Sequence, residues 1–331
     1  MKIAVVGPGA LGCLLAAFFF EAGHDVLLVD YHLERTVLLN QQGIHLQTLE
    51  GHLRVARVPF KLPHEVEPRG LVIMAVKAHQ TAEASRSLPA LMAPGGIVLT
   101  LQNGLGNLEA MARVAGPERV LAGAAFLGAT RPGEGRVIHA GHGAIYIGAP
   151  RGSLVTDPEI AGVVNLFKEA GLECHLHPDI EVVLWEKLLI NVGINPLTAL
   201  LRVPNGALPE LPEAWELAVT AAMEAQAVAR AAGIPVSGDP EARLRQVCEA
   251  TAANRSSMLQ DVLAGRATEI EALNAQVAVR GAALGVPTPV NHLLTQLLRA
   301  WGRWVSGTGG SGDGERGGGG EAEKRGSGEK K

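Results

Sequence analysis

The sequence predicts an α/β fold in which a parallel β-sheet, covered by helices on both faces, precedes an all-helical part. Two observations lead to this prediction. Before His177, uninterrupted apolar segments of strand length alternate with helix-like segments, the pattern of a parallel sheet buried on both faces. After His177 the chain becomes alanine-rich with helical periodicity, and strand-like segments no longer occur.

The first part is expected to begin with alternating strands and helices. The predicted parallel strands are Lys2–Gly7, Asp25–Asp30, Leu71–Val76 and Gly96–Leu101. A helix follows the first strand, with Gly23 as its predicted C-terminal cap, and a helix-like segment at 80–92 separates the last two strands.

The next region is rich in glycine and has strand-like segments without room for helices between them. These segments are 119–130, 135–141 and 143–150. We expect them to form an antiparallel extension of the same sheet. A helix at about Asp157–Gly171 and a strand at 172–177 would complete this part.

The domain boundaries follow from these changes in composition. A first domain is predicted at 1–177 and a helical domain at 178–305, whose later helices are expected at 214–233, 268–285 and 291–305. Residues 306–331 are mostly glycine and charged residues, and they cannot bury enough apolar surface to offset the entropy of ordering. We therefore predict a disordered tail there.

Composition limits the classes of function. A net charge of −4 and an aromatic fraction of 4% do not favour a nucleic-acid partner. The cysteines Cys13, Cys174 and Cys248 lack the spacing of a metal or disulfide pair, so we expect reduced thiols and no metal site. The N-terminal apolar run is broken by glycines and is too short to span a bilayer, so we expect no membrane partner and a cytoplasmic location.

A glycine-rich turn, GPGALG, lies between the first strand and the first helix. In a G-x-G-x-x-G turn the first glycine permits the tight turn, the second admits the pyrophosphate, and the third lets helix and strand pack closely. The free N–H groups at the helix N-terminus attract phosphate. We therefore predict a Rossmann-type dinucleotide site with contacts from Gly7, Gly9, Ala10, Leu11 and Gly12.

The end of the second strand bears on the choice of dinucleotide. Asp30 is expected to bind the ribose hydroxyls of NAD(H) and to repel the 2′-phosphate of NADP(H). His32 and Arg35 follow closely enough to offer that phosphate positive charge, although the favoured interpretation of Arg35 is a solvated helix residue. Charge alone leaves both cofactors open.

The segment WEKLLINVGINPLTAL, residues 185–200, is apolar except for a few polar side chains at regular intervals. Lys187, Asn191 and Asn195 are four residues apart, and steps of four rotate by only about 40° on a helix, so the three form one stripe. A helix that is apolar nearly all round is usually buried. The stripe therefore faces a polar cleft, is solvated by bulk water or is satisfied inside the helical core.

Several stretches taken together resemble the ketopantoate reductase (2-dehydropantoate 2-reductase) family. In order, they are MKIAVVGPGALG, VIMAVKAHQT, LTLQNGLGN, WEKLLINVGINPLTAL, SSMLQDVLAGRATEIEALNAQV and GVPTPVNHLL, and they extend over residues 1–305. The resemblance implies a Rossmann domain, a helical C-terminal domain and an active site in the cleft between them. It also implies NADPH-dependent reduction of ketopantoate to pantoate, on the route to pantothenate and coenzyme A.

The resemblance assigns roles to the polar stripe. Lys187 matches the family's general acid, and its ammonium would also stabilise the developing alkoxide. Asn191 and Asn195 match positions that hydrogen-bond substrate oxygens.

A second set of matches comes from the segment 251–274. Ser257 matches the residue that contacts the substrate carboxylate, although Ser256 beside it could take that role. Glu269 matches the active-site glutamate that binds substrate and cofactor and orients the lysine. Taken alone, Thr268 and Glu269 would indicate a helix start with an acid in its first turn.

Two further matches lie in the first domain. Lys77 and Asn103 follow the third and fourth predicted strands, at the carboxyl edge where open α/β sheets bind ligands. The family uses these positions around the nicotinamide ribose and phosphates, and Asn103 also near the substrate; the alternatives are a surface lysine and a turn asparagine. NADPH-selective members often have a basic residue where this chain has Asp30, so the resemblance favours NADP(H) while Asp30 keeps NAD(H) open.

Other functions remain to be distinguished. A related NAD(P)-dependent 2-oxo-acid reductase or 3-hydroxy-acid dehydrogenase would share the architecture and the Lys-x₃-Asn spacing. A non-catalytic NAD(P)-sensing regulator would keep the glycine turn but would not need Lys187, Ser257 and Glu269 together. The expected partner is a small-molecule substrate, and the oligomeric state is left open between a monomer and a homodimer.

Overall fold

The computed structural model describes residues 1–308, which form twelve strands and twelve α-helices. The strands are β1 (Ile3–Val6), β2 (Val26–Val29), β3 (Ile44–Gln47), β4 (Leu53–Ala56), β5 (Phe60–Lys61), β6 (Arg69–Met74), β7 (Met92–Thr100), β8 (Val120–Ala125), β9 (Gly128–Gly133), β10 (Arg136–Gly141), β11 (Ile145–Gly148) and β12 (Cys174–Leu176). The helices are α1 (Ala10–Glu21), α2 (Leu33–Gln42), α3 (Thr81–Ser85), α4 (Leu88–Leu91), α5 (Asn107–Ala115), α6 (Asp157–Glu169), α7 (Ile180–Leu201), α8 (Pro212–Ala231), α9 (Pro240–Ala250), α10 (Ser257–Leu263), α11 (Asn274–Leu284) and α12 (Pro289–Thr308).

The main sheet has eight strands in the order β12-β11-β8-β7-β6-β1-β2-β5. The six strands from β8 to β5 are all parallel, and β1 pairs with both β2 and β6 in register through its full length. All four residues of β1 are buried, as expected for a central strand covered on both faces. The predicted fold class is therefore confirmed.

The predicted antiparallel extension is partly wrong. β8 follows α5 as the return strand of a β–α–β crossover and so pairs parallel with β7, whereas β11 is antiparallel to β8. β9 and β10 leave the main sheet and join a second sheet of order β4-β3-β10-β9. The sequence did not indicate this sheet because β3 and β4 are only four residues long each, too short for a clear periodic pattern.

Two predicted helices are shorter than expected. The segment 80–92 is divided into α3 and α4, because Pro89 has no N–H with which to continue the helix. The helix expected from Thr268 begins only at Asn274, so Glu269 lies in a turn and not at a helix start. At the other end, α12 continues to Thr308, three residues into the predicted tail, and residues 309–331 lie outside the described residues.

Helix α7 joins the helical part to the sheet. Near its start, Ile180 and Val183 pack on Ala122 and Ala124 of β8 in a small apolar cluster. Farther along, α7 supplies buried side chains to the core shared by the other helices, namely Trp185, Leu188, Leu189 and Val192. The helix therefore runs from the face of the sheet past the carboxyl end of β8.

The turn between β1 and α1 leads to a prediction about stability. A Cβ added at Gly12 would lie 2.0 Å from the carbonyl oxygen of Gly7, whereas a Cβ at Gly9 would meet no atom nearer than the carbonyl oxygen of Ala75 at 3.6 Å. We expect Gly12→Ala to lower the free energy of unfolding by about 1–3 kcal/mol or more, as overpacking does. Gly9→Ala is the matched control and should unfold like the wild type. Equal thermal midpoints for the two variants would contradict the close approach of α1 to the turn.

Candidate active site

The candidate site lies at the carboxyl edge of the main sheet. The glycine turn follows β1, Lys77 lies three residues beyond β6, Asn103 lies three residues beyond β7, and Phe126 follows β8 directly. These strands are parallel neighbours, so their carboxyl ends lie together at one edge. Open parallel sheets bind ligands at this edge.

The glycine turn has the shape that a bound pyrophosphate requires. Gly7 has φ +105°, and a Cβ there would approach the backbone nitrogen of Val76 to 2.8 Å. The first N–H groups of any helix have no intrahelical partner. Because Gly9, the N-cap of α1, has no side chain to cap them, they remain available to an anion. The residues present fit a dinucleotide.

The polar stripe of α7 emerges at this edge. The Lys187 ammonium donates to the carbonyl oxygen of Ala125, at the end of β8, over 2.5 Å, and it lies 5.3 Å from the centre of the Phe126 ring. Asn191 is half-buried and Asn195 is buried, and within residues 1–308 neither side-chain amide has a hydrogen-bond partner. The stripe is therefore not satisfied by the helical core.

Lys187 is electrostatically perturbed. Burial lowers the pKa of its ammonium to about 8, and the negative charge of Glu269 opposes this shift. The Glu269 carboxylate is therefore close enough to Lys187 to influence its charge. A lysine with this pKa can lose and regain a proton near neutral pH.

Besides the stripe of α7, the site contains an ionic cluster that connects the sheet edge to the helical part. Lys77 Nζ lies 2.8 Å from Asp261 Oδ2 and 3.8 Å from Glu269 Oε2. The backbone N–H of Ala78 donates to Glu269 Oε1 over 3.4 Å, and Arg266 Nε donates to Asp261 Oδ1 over 3.1 Å. Both carboxylates are buried, so the cations compensate them.

Asp261 was not predicted from the sequence. It lies on α10, where its neighbours Met258, Leu259 and Val262 are all buried. The sequence could have indicated it, because an acidic residue among the apolar residues of a short helix needs a cation as a partner when it is buried.

Two adjacent serines differ sharply in their surroundings. Ser256 is the N-cap of α10: its hydroxyl accepts from the N–H of Leu259 and contacts the Thr198 hydroxyl at 2.8 Å. Ser257 is exposed, and its side chain has no hydrogen-bond partner within the described part of the chain. The structure thus commits Ser256 to the fold and leaves Ser257 available to a ligand.

Asn103 is half-buried, and its side chain has no partner among residues 1–308. The preceding residue, Gln102, was not predicted to be important, but its side chain links two loops of the site. Its amide nitrogen lies 2.7 Å from both the carbonyl oxygen of Val76 and the Thr81 hydroxyl. Gln102 therefore holds together the loops that carry Lys77 and Asn103.

The Asp30 carboxylate, which was expected to bind the ribose hydroxyls of NAD(H), is already paired with Arg35. Arg35 donates to it from Nε and from Nη2, both over 2.5 Å, and the N–H groups of Tyr31 and His32 donate over 2.7 and 3.2 Å. The Asp30 side chain is 1% exposed, whereas that of Arg35 is 27% exposed. The two residues form one neutral pair, with the arginine as its solvent-facing member.

Residues 1–308 contain no cluster of three or more side chains that could hold a metal ion. No helix in the same range is long and apolar enough to cross a bilayer. All three cysteines are buried free thiols.

A dinucleotide turn and a half-buried lysine at the same sheet edge are the arrangement expected of a nicotinamide-dependent reductase or dehydrogenase. The chain belongs to the ketopantoate reductase family. The family model "Ketopantoate reductase PanE/ApbA" matches residues 3–152, and the model of its C-terminal part matches residues 179–301.

Relatives and solved structures agree with this assignment. The chain is 37% identical to a 2-dehydropantoate 2-reductase of Halobacterium salinarum over 90% of its own length and 98% of the relative's. It is 34% identical to that of Archaeoglobus fulgidus, with 90% and 97% covered. A ketopantoate reductase structure from Ralstonia eutropha aligns with TM-score 0.84 and 30% identity, covering 92% of this chain and 100% of that one.

A structure of a differently named enzyme is equally similar in shape. D-mandelate dehydrogenase in a ternary complex with NADH and anilino(oxo)acetate aligns with TM-score 0.86 and 27% identity, covering 92% of this chain and 100% of that one. That neighbour was solved with NADH, a nicotinamide dinucleotide.

The contrast between the serines leads to a prediction. Ser256→Ala should lower the free energy of unfolding by about 1 kcal/mol, because it removes an N-cap. Ser257→Ala should unfold like the wild type but raise KM for a carboxylate substrate. Each variant is the control for the other, and an increase in KM confined to Ser256→Ala would reverse the assignment.

Proposed function

We propose that this protein reduces ketopantoate to pantoate with NAD(P)H. The observation that carries the proposal is the stripe on α7, where the Lys187 ammonium is held at the end of β8 and the amides of Asn191 and Asn195 have no protein partner among the described residues. On a largely apolar helix such groups need water or a polar ligand as a partner, and a substrate with several oxygens meets that need. Membership of the ketopantoate reductase family supports the same substrate.

When bound, the reduced dinucleotide supplies the hydride. Lys187 holds the proton at Nζ for the substrate's carbonyl oxygen, and its positive charge stabilises the negative charge that develops there. Asn191 and Asn195 donate to the substrate's oxygens, and Ser257 donates to its carboxylate. Glu269 keeps the lysine charged, since its carboxylate opposes the effect of burial on the lysine's pKa.

The cofactor would contact the other side of the site. The backbone at Gly7, Gly9, Ala10, Leu11 and Gly12 would hold the pyrophosphate. Lys77, Asn103 and Glu269 would then surround the nicotinamide ribose, and Asp30 with Arg35 would border the adenosine ribose.

A second candidate substrate is a 2-oxo acid with an aromatic substituent. Phe126 is 44% exposed although its ring lies beside the Lys187 ammonium, so it offers an apolar surface next to the proton donor. Tyr146 packs edge-on against the same ring at 6.0 Å. The likeness to D-mandelate dehydrogenase supports this alternative.

Steady-state assays separate these candidates. The purified chain would be incubated with NADPH or NADH and either ketopantoate or phenylglyoxylate, and loss of reduced-nicotinamide absorbance would be followed. We expect the higher kcat/KM with ketopantoate. A higher value with phenylglyoxylate that Phe126→Ala abolishes would favour the aromatic substrate, and cofactor binding without turnover of any 2-oxo acid would favour a sensor.

The cofactor preference is expected to be modest. A 2′-phosphate at the end of β2 would meet Arg35, but two of that residue's donors are already engaged by Asp30, and Glu134 lies 4.0 Å from its Nε. Arg131 pairs with Glu134 over 3.2 Å. The two arginines and the two carboxylates therefore have no net charge together. We therefore propose use of both cofactors, with NADPH somewhat favoured.

Substitutions at the pair test this proposal. Asp30→Ala should release Arg35 to the phosphate and raise the NADPH-to-NADH ratio of kcat/KM about tenfold, the value of one charge-assisted hydrogen bond. Arg35→Ala should lower the ratio and destabilise the fold, because it leaves a buried carboxylate without its cation. The double variant is the control and should return the ratio towards the wild-type value. Ratios that do not change in any variant would show that these residues do not contact the ribose.

The pKa of Lys187 sets the expected pH dependence. The lysine must carry its proton when reduction begins, and its protonated fraction falls as the pH rises through about 8. The kcat/KM for reduction should therefore fall about tenfold per pH unit above that value, while kcat/KM for the oxidation of pantoate should rise over the same range.

Lys187→Ala is the control for this profile. It should bind cofactor normally, lose the pH dependence near 8 and lower kcat by about 10²–10⁴-fold, the usual contribution of a general acid. A wild-type profile that stays flat well above this pH, or near-normal turnover in the variant, would remove Lys187 from the mechanism.

We further propose that the protein acts in the cytosol, because its three cysteines are reduced thiols and none is paired. The oligomeric state stays a prediction, and light scattering of the purified chain would distinguish a monomer from a homodimer.

A further inference from the structure

Helix α7 has a gap in its backbone hydrogen bonds beside the polar stripe. In an α-helix the carbonyl of residue 192 accepts from the N–H of residue 196. That residue is Pro196, which has no N–H and lies inside the helix. Val192 is 0% exposed, so bulk water does not reach its carbonyl. A buried carbonyl of this kind needs a donor from elsewhere.

Asn274, the first residue of α11, supplies that donor. Its Nδ2 lies 3.0 Å from the carbonyl oxygen of Val192, and its side chain is fully buried. The orientation of the amide follows from its surroundings, because Nδ2 also lies 3.0 Å from Asn291 Oδ1. With a backbone carbonyl on one side, that end of the Asn274 side chain must be the nitrogen.

The orientation of Asn291 is determined by the next residues in the network. Its Nδ2 lies 2.9 Å from the carbonyl oxygen of Ala221 and 2.7 Å from Glu224 Oε2, and both of these groups only accept. Its amide oxygen must therefore face Asn274. Glu224 also accepts from the backbone N–H groups of Val290 and Asn291. A continuous network thus runs from α8 through α12 and α11 to the gap in α7.

We propose that Asn274 is a positioning residue for the active site. By donating to Val192, it holds the turn of α7 that carries Asn195 in line with the preceding turns that carry Lys187 and Asn191. Without this donor, the helix would bend at the proline to expose the unpaired carbonyl, as helices do when a hydrogen bond of the ladder is missing. The inference rests on the proposed function only for its kinetic readout.

The test first removes the donor at position 274 and then restores the hydrogen bond to Val192 from within α7. Asn274→Leu is similar in size but has no donor, and Asn274→Ala removes most of the side chain. We expect both to lower kcat/KM for ketopantoate about 10–100-fold at temperatures where they are folded, the cost of a small misplacement of substrate-binding groups. Their Kd for NADPH should not change.

Pro196→Ala adds an N–H that can donate to Val192. Combined with Asn274→Ala, it should recover most of the lost kcat/KM, whereas alone it should leave turnover close to that of the wild type. If Asn274→Ala does not fold, Asn274→Ser with and without Pro196→Ala gives the same comparison, because the serine hydroxyl is too short to reach Val192. A double variant no better than the single one would overturn the proposal, as would Asn274→Leu with wild-type kinetics.

Hydrogen exchange gives a readout that does not depend on the substrate. Amides of residues 189–201 should exchange faster in Asn274→Ala and recover protection in the double variant. Unchanged exchange in Asn274→Ala would also overturn the inference. A wild-type protein that does not reduce ketopantoate would contradict the proposed function and leave this exchange result unaffected.

Discussion

The rest of the site depends on how the protein accommodates one partly buried ammonium. Lys187 extends from a largely apolar helix, and burial alone would drive it towards the neutral form. The carbonyl oxygen of Ala125 accepts its hydrogen bond, and the charge of Glu269 opposes the loss of its proton. These two groups come from different parts of the chain, the end of β8 and the turn before α11. Holding the lysine in a usable state therefore requires the helical part to close against the carboxyl edge of the sheet.

The same requirement explains why the cations of the site are paired. Lys77 contacts the buried Asp261, and Arg35 contacts the buried Asp30. A carboxylate left alone at such a position would cost several kcal/mol, so these contacts are structural as well as available to ligands. In the proposed complex, a cofactor phosphate would share each cation with its carboxylate. The free energy that each cation contributes to binding is correspondingly reduced.

Much of the fold and part of the site could be predicted from local patterns. The buried strands and the polar stripe of α7 follow from periodicity, which is a property of neighbouring residues. The second sheet could not be predicted in this way, because β3 and β10 pair across about ninety residues and neither is strongly apolar. Asp261 and Phe126 were missed for a similar reason: their significance lies in contacts with Lys77 and Lys187, which are distant in sequence. The pairing of Asp30 with Arg35 is local, but the sequence does not reveal which of the two faces solvent.

Pro196 weakens the hydrogen bonding of α7 locally, but it also gives α7 a contact with another helix. Proline inside a helix removes a hydrogen bond and ordinarily destabilises it. Here the freed carbonyl of Val192 is bonded by Asn274, so the defect becomes a cross-link between α7 and α11. Because α11 begins five residues after Glu269, the cross-link ties the stripe to the segment that supplies the opposing carboxylate. A regular helix would satisfy this carbonyl from within, so its alignment would not depend on the contact with α11. The proline therefore makes the alignment of the stripe depend on Asn274.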